Sequence, residues 1–334
     1  MTKKRVGKGT MSVMIALLLL GLTVPGQAAP AVKSINYITN PAGMGNYTVA
    51  VAQGQLISKR SGGLQVIVQP SQGPRVIPYL LESGDGQLGI LSSSGTNWAY
   101  VGVHEYDRPY KFLRVLQAGS DNYFGIVSLQ KNGIKSIPEL KGKRVNYSVT
   151  SLLTEFVMET ELEAYGLNRD KDISALKTEN NTASIDHLGQ GRSDAAACGL
   201  GGSKMAEVSA KSKIIVLPFA PEKLPFVQKK LAVFATVTPS NLSGVDPGIP
   251  AIATPNLLIT RADLTDDIAY LVVKTLIENY NELKTINAVM ADWKPEVAVR
   301  ELTVPYHPGA IKYYKEKGLW SAKMDQLQQQ LLGK

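Results

Sequence analysis

The chain has 334 residues, of which 44% are hydrophobic and 19% charged. That balance suits a packed globular protein and is too apolar for a disordered one; at roughly 150 residues per domain it suggests two domains or lobes. A single cysteine, Cys198, excludes a disulfide framework and a thiolate zinc cluster, and three histidines (His104, His187 and His307) with no pair at helical spacing offer no histidine-based metal site.

The first element is a leader. Lys3, Lys4, Arg5 and Lys8 stand without an acid, Met11–Leu22 follows as an apolar run, Pro25 and Gly26 break it, and Ala28 and Ala29 are small. This is the order of a secretory signal peptide, and the run is shorter than the about 20 residues a membrane span needs. Small residues at Gly26 and Ala28 place cleavage after Ala28, so residues 1–28 are expected to be removed. The formal charge then falls from +8 to +4. That is too mild to argue for nucleic acid, and the basic residues are not interleaved with aromatics as a strand-binding groove requires. No later segment reaches membrane length without a charge or a breaker. The mature chain therefore reads as exported, not inserted in a membrane, and periplasmic in a bacterium.

Strand and helix patterns then alternate. Ile35–Thr39 reads as a strand, Asn46–Arg60 as a helix with Val49, Ala52 and Leu56 on one face, and Leu64–Gln69 as a β-branched strand. Pro74–Ser83 reads as a short helix opened by proline, and Leu88–Leu91 as a strand. A second unit begins near Asn122. Its strands are Phe124–Leu129, Arg144–Ser148, Ala175–Thr178, Asp194–Leu200 and Lys213–Phe219; its helices are Ile137–Leu140, Thr154–Tyr165, Ala183–Gly189 and Ser203–Lys211. Leu231–Thr238 is a strand leading out of it. Beyond the loop Pro239–Pro250 come the strand Asn256–Thr260 and a helix capped by Thr265, with Asp266 and Asp267 in its first turn. Helical patterns at Pro295–Leu302, Gly309–Lys317 and Ser321–Leu332 finish the chain. Such alternation argues for an α/β fold with a parallel sheet and crossover helices.

The chemistry-bearing feature is a set of small or hydroxyl-rich turns between an expected strand and an expected helix. They are Asn40–Tyr47, Ser71–Arg75, Ser92–Thr96, Ser148–Thr154 and Gly199–Ser203. In an open α/β sheet such turns lie at one edge. Helix starts expose unpaired N–H groups and partial positive charge, so several converging turns make an anion-binding cleft. Arg75, in a first helical turn where its charge is mildly unfavourable, is a candidate for a bidentate grip on a carboxylate. Cys198 reads as a buried structural thiol; as a nucleophile it needs a basic partner, and no histidine recommends itself. Gly43-Met-Gly45 lacks the third glycine of a dinucleotide fingerprint, and neither a P-loop nor a hydrolase elbow is present.

Five stretches carry a resemblance to a known family. Ser83-Gly-Asp-Gly-Gln-Leu-Gly-Ile90, Gly133-Ile-Lys-Ser-Ile-Pro-Glu-Leu-Lys-Gly-Lys-Arg-Val145, Leu162-Glu-Ala-Tyr-Gly-Leu167, Pro255-Asn-Leu-Leu-Ile-Thr-Arg-Ala-Asp-Leu264 and His307-Pro-Gly-Ala-Ile-Lys-Tyr-Tyr-Lys-Glu-Lys-Gly318 are similar to framework motifs of the TAXI-type solute-binding proteins of TRAP transporters. The similarity runs from about Ile35 to Leu319. It implies a two-lobed class II periplasmic-binding-protein fold with a hinge and a ligand cleft between lobes. It further implies a small organic anion as ligand, delivery to sodium-coupled TRAP permease subunits, no enzymatic activity and no cofactor.

By position, the resemblance puts the ligand-contacting glycine-rich turn on Gly43, Met44, Gly45, Asn46 and Tyr47. It puts a glutamine-serine pair on Ser92 and Ser93, an anion loop on Ser151–Thr154 and a later cleft turn on Cys198–Gly201, with Cys198 and Gly199 at its start. Ser92 replaces the family's glutamine, and Ser151-Leu-Leu-Thr154 keeps the loop's threonine without its glycines. The framework is kept and the pocket is altered. The expected organisation is a signal peptide (1–28), the first part of lobe 1 (29–120), lobe 2 (121–235), the return to lobe 1 with hinge-spanning helices (236–320) and a C-terminal helix or tail (321–334). A related protein serving a sensor, and a thiol-dependent periplasmic enzyme, are the alternative readings.

Overall fold

The computed structural model describes residues 33–42, 45–149 and 151–333. The expected signal peptide, and Gly43 and Met44 of the first glycine-rich turn, lie outside the described residues. The chain opens with β1 (Lys33–Thr39), α1 (Gly45–Arg60), β2 (Leu64–Pro70), α2 (Ile77–Glu82), β3 (Leu88–Ser92) and α3 (Ser93–Val101). These form a parallel three-stranded unit in the order β2-β1-β3. The helix expected at Pro74–Ser83 is a 3-10 turn at Pro74–Val76 followed by α2.

The long strand β4 (Leu113–Leu129) follows. Next come β5 (Arg144–Ser148), α4 (Leu152–Ala164), the single-turn α5 (Arg169–Asp172), β6 (Ser174–Thr178), α6 (Asn181–Gly189), β7 (Ala195–Gly199) and α7 (Ser203–Lys211). β8 (Ile214–Val216), α8 (Leu224–Gln228) and β9 (Phe234–Val237) lead to the second long strand, β10 (Pro250–Arg261). The chain closes with α9 (Asp266–Glu278), α10 (Tyr280–Ile286), α11 (Pro308–Glu316) and α12 (Ala322–Leu331). Thr265 occupies the N-cap of α9, as expected, but its side chain makes no capping bond. Pro295–Leu302 holds only a 3-10 turn at Pro295–Val297.

All the strands belong to one sheet, ordered β2-β1-β3-β10-β4-β7-β5-β6, with β8 on β4 and β9 on β10. The sheet is mixed where the alternating pattern suggested a parallel one. β10 runs antiparallel to both β3 and β4, and β4 runs antiparallel to β7. β4 is two apolar runs joined by a more polar middle. Leu113–Ala118 is buried beside β10, Ser120–Tyr123 is half-buried, and Phe124–Leu129 is buried beside β7 and β8. β4 and β10 thus tie two halves of the sheet together, in the manner of a two-lobed α/β fold.

Two glycines permit the close approaches at this junction. A Cβ on Gly119, in the middle of β4, would run into the ring of Trp293, itself 1% exposed. A Cβ on Gly309 would collide with the Asp266 carbonyl, so α11 can lie against the start of α9 only with glycine there. His307 N-caps α11, its Nδ1 accepting from the Gly309 N–H at 3.2 Å. Tyr314 reaches from α11 to donate to the Leu116 carbonyl on β4 at 2.8 Å.

Candidate functional site

Strand direction defines the site. β1, β2 and β3 run the same way as β4, whereas β5, β6 and β7 run against it. The carboxyl ends of the two parallel sets therefore point toward each other across the middle of β4. Ser92 pairs with Asn256, opposite the Ala118–Asp121 stretch of β4, and Gly199 pairs with Phe124. Four to five strand residues separate those levels, or roughly 15 Å at 3.3 Å per residue. A crevice outside opposed strand ends is where open α/β sheets bind ligands.

The floor consists of uncharged side chains from the two crossing strands. Asn122 donates from Nδ2 to Asn256 Oδ1 at 2.9 Å, and Asn256 donates from Nδ2 to Ser120 Oγ at 3.3 Å. Asp121 is committed elsewhere, to Arg300 at 2.6 Å with both side chains four-fifths buried.

On one wall, α3 packs on β3 and β10 and begins at the Ser92–Ser94 turn. Ser92 is its N-cap, accepting from the Gly95 N–H at 3.1 Å. Ser93 Oγ donates to the Ala232 carbonyl at 2.9 Å and shares a 2.6 Å hydrogen bond with Thr254; Ser94 Oγ donates to the same carbonyl at 3.1 Å. On the other wall, α4 packs on β4, β5 and β7. Ser151 is its N-cap, accepting from the Thr154 N–H at 3.3 Å and sharing a 2.7 Å hydrogen bond with the Thr154 hydroxyl. Gly199 is pinned by Asn181, which accepts from its N–H and donates to its carbonyl, both at 3.2 Å.

The expected hydroxyls are thus present at the crevice, but Ser93 and Thr154 are engaged in holding the turns. What the walls offer an anion is helix-start backbone N–H groups and positive potential. The two walls are not equal. No acid lies in the first turn of α3, whereas Glu155 lies in that of α4. A carboxylate there competes with a bound anion, but Arg169 holds Glu155 at 2.6 Å and also contacts Glu159.

The remaining expected residues divide. Gly45 opens α1 with open space around it. Asn46 and Tyr47 are half-buried, and Tyr47 lines a depression of about 230 Å³ with Thr48, Val51, Ala52, Gln55, Ile286 and Asn287. A second depression, about 480 Å³, lies between α1 and the edge strand β2, lined by Val51, Val66 and Val68 with Gln55, Ser58 and Lys59. Two of its polar groups are already engaged: Ser58 Oγ accepts from the Val66 N–H at 2.9 Å and Lys59 pairs with Glu282 at 2.7 Å. Arg75 is exposed on the turn after β2, near Glu105, whose carboxyl is raised by burial against the opposing pull of Arg75.

Cys198 does not match the thiol-enzyme alternative. Its side chain is 1% exposed among Val127, Leu129, Ile185 and Met205, and burial, with a further push from Glu161, raises the thiol well above its ordinary range. A nucleophile needs the opposite shift. His104 is exposed, and one side of its ring packs 4.6 Å from Trp98 and 4.0 Å from Phe156. Ser120, Asn122, Thr254 and Asn256 escaped the sequence reading. Asn122 and Asn256 lie 134 residues apart, and no local pattern links them.

Opposed strand ends and two crossing strands between the sheet halves define a two-lobed α/β architecture. Solved structures agree on the fold. The periplasmic aliphatic sulphonate binding protein SsuA from Escherichia coli superposes with a TM-score of 0.50 at 13% identity, over 89% of this chain and 90% of its own. PhnD1 from Prochlorococcus marinus, solved in complex with methylphosphonate, gives 0.52 at 12% identity over 86% and 99%. A structure described as a periplasmic transporter gives 0.51 at 15% over 90% and 97%. The chain itself belongs to the NMT1-like family, whose model matches residues 38–318. Among the described residues, no helix is long and apolar enough to cross a membrane, and no cluster of three or more His, Cys, Asp or Glu could hold a metal ion.

Proposed function

We propose that this chain is an exported solute-binding protein that closes on a small organic anion (a carboxylate, dicarboxylate or acidic amino acid) and delivers it to a sodium-coupled TRAP permease of the TAXI type. The moving bodies in this reading are residues 29–120 with 236–320, and residues 121–235. One observation carries it: two helix starts, one from each half, face each other over a floor of carboxamides and hydroxyls. Such a crevice rewards an oxyanion without a dedicated buried cation. Lobe closure follows because a ligand favours the state in which both walls reach it. The leader at residues 1–28 and the framework motifs support export and the permease partner.

The superposed proteins are described as binding an aliphatic sulphonate and methylphosphonate. Both are small organic oxyanions, which suit the same helix starts. A thermal-shift screen of the mature protein against carboxylates, acidic amino acids, sulfonates and phosphonates separates the classes. A ligand at a hundredfold excess over its Kd adds about 2.7 kcal/mol to stability. A rise in Tm with carboxylates alone supports the reading; a rise with sulfonates or phosphonates alone reassigns the ligand class; no rise with any of them refutes anion capture.

A further inference from the structure

Besides the Ser93 and Ser94 bonds to the Ala232 carbonyl, a set of rings joins the two halves outside the crossing strands. Trp98 lies in the second turn of α3 and Phe156 in the second turn of α4, the two helices whose first turns form the crevice walls. Their rings meet edge to face at 5.3 Å, and His104, in the turn after α3, lies against both, 4.6 Å from Trp98 and 4.0 Å from Phe156. Trp98 is 2% exposed and its indole N–H has no acceptor, so ring packing alone holds the contact. His104 is also the one non-glycine residue with a positive φ (61°) among the described residues. A side chain there is strained, and such strain persists where the surroundings impose it.

Resting on the binding-protein reading above, we propose that Trp98, His104 and Phe156 form an aromatic latch that holds the two lobes closed across the crevice. Ring pairs of this kind are strong enough to bias an equilibrium and weak enough to part. The left-handed turn at His104 aims its ring at the α4 side of the crevice, where Phe156 is the partner. The latch makes closure a property of the chain as well as of its ligand.

The test uses the mature, ligand-free protein carrying Gln65→Cys on β2 and Lys131→Cys after β4. Both positions are exposed and lie in opposite halves, and the native Cys198 is buried away from labels. Single-molecule energy transfer then reads the ratio of compact to extended molecules. Phe156→Leu keeps the apolar bulk and removes both cross-crevice ring pairs, so the ratio is expected to fall roughly tenfold. His104→Asn keeps a residue that tolerates the left-handed backbone and removes one pair; the expected fall is roughly threefold. The double variant is expected to match Phe156→Leu alone, because His104 then has no partner across the crevice. Far-UV circular dichroism matching the parent and a single cooperative urea transition show that the fold is intact. Two populations whose ratio neither variant moves overturn the latch and leave the binding-protein reading standing. A single, unchanged distance in parent and variants overturns the latch and lobe closure together. Anion binding, measured separately, decides the ligand.

Discussion

Glu161 gives the sharpest stability test. It lies on the face of α4 turned into the sheet, is 1% exposed, and its Oε2 has no hydrogen-bond partner. Burial raises its carboxyl from an ordinary 4.5 to about 8. Between those values the folded protein holds a proton that the unfolded chain releases, so the folded state binds more protons and stability falls as pH rises. The contribution is fully present below pH 4.5 and is lost by pH 8. The slope is about 1.4 kcal/mol per pH unit, which amounts to roughly 3 kcal/mol lost by pH 7 and roughly 5 kcal/mol by pH 8. Glu161→Gln keeps the shape and removes the titration. Urea unfolding of both proteins from pH 4.5 to 8.5 at fixed ionic strength isolates this residue, since every other titrating group is common to both. The variant is expected to be the more stable by several kcal/mol at pH 8, less about 1–3 kcal/mol for an unmet amide. The advantage is expected to shrink steadily toward pH 4.5. A difference that stays flat across that range would refute the buried-carboxyl argument.

Further outcomes follow from the crossing strands, the floor and the core. Gly119→Ala drives a methyl into the Trp293 ring and is expected to cost about 1–3 kcal/mol in urea unfolding, as overpacked cores do; a neutral result would mean that Trp293 moves freely. Asn256→Ala leaves the Asn122 amide and the Ser120 hydroxyl without their partner. It is expected to weaken any anion found in the screen, together with a stability loss of about 1 kcal/mol, and isothermal titration checks this. His307→Ala removes the N-cap of α11 and is expected to cost about 1 kcal/mol, seen as a lowered urea midpoint. Native Cys198 is expected to resist alkylation until urea unfolds the protein; fast labelling at neutral pH would contradict its burial.

The parallel units were legible because each obeys local rules. β-branched runs such as Leu64–Pro70 and amphipathic helices such as Asp266–Glu278 sit where their patterns place them. The crossing strands were not. β4 reads as a strand only from Phe124 onward, because the half-buried stretch Ser120–Tyr123 interrupts the apolar pattern. β10 was entered at Asn256 because Pro250 and Pro255 look like breakers. In the fold Pro250 opens the strand, and Pro255 stands where the register with β4 shifts, positions that tolerate a missing N–H. A helix is expected after the turn Ser92–Thr96 but without bounds, and α3 begins inside that turn, at Ser93, because Ser92 caps it. The turns of the site were visible as composition, but their opposition across β4 is a property of strand direction.

That difference changes what the serines and threonines do. Read along the chain, a hydroxyl-rich turn offers rotatable donors to a ligand. In the fold, Ser92 and Ser151 cap their helices, Ser93 and Ser94 bind the Ala232 carbonyl that approaches from the other half, and Thr154 closes on its own cap. These bonds fix where the helix starts point, so the backbone becomes the donor and the side chains its scaffold. In the proposed reading, a site built this way would select for the charge and size of an anion head more than for its hydrogen-bonding pattern. On that proposal, discrimination among carboxylate, sulfonate and phosphonate would fall to the floor, where Asn122 and Asn256 already satisfy each other in part and leave limited donor capacity for a ligand.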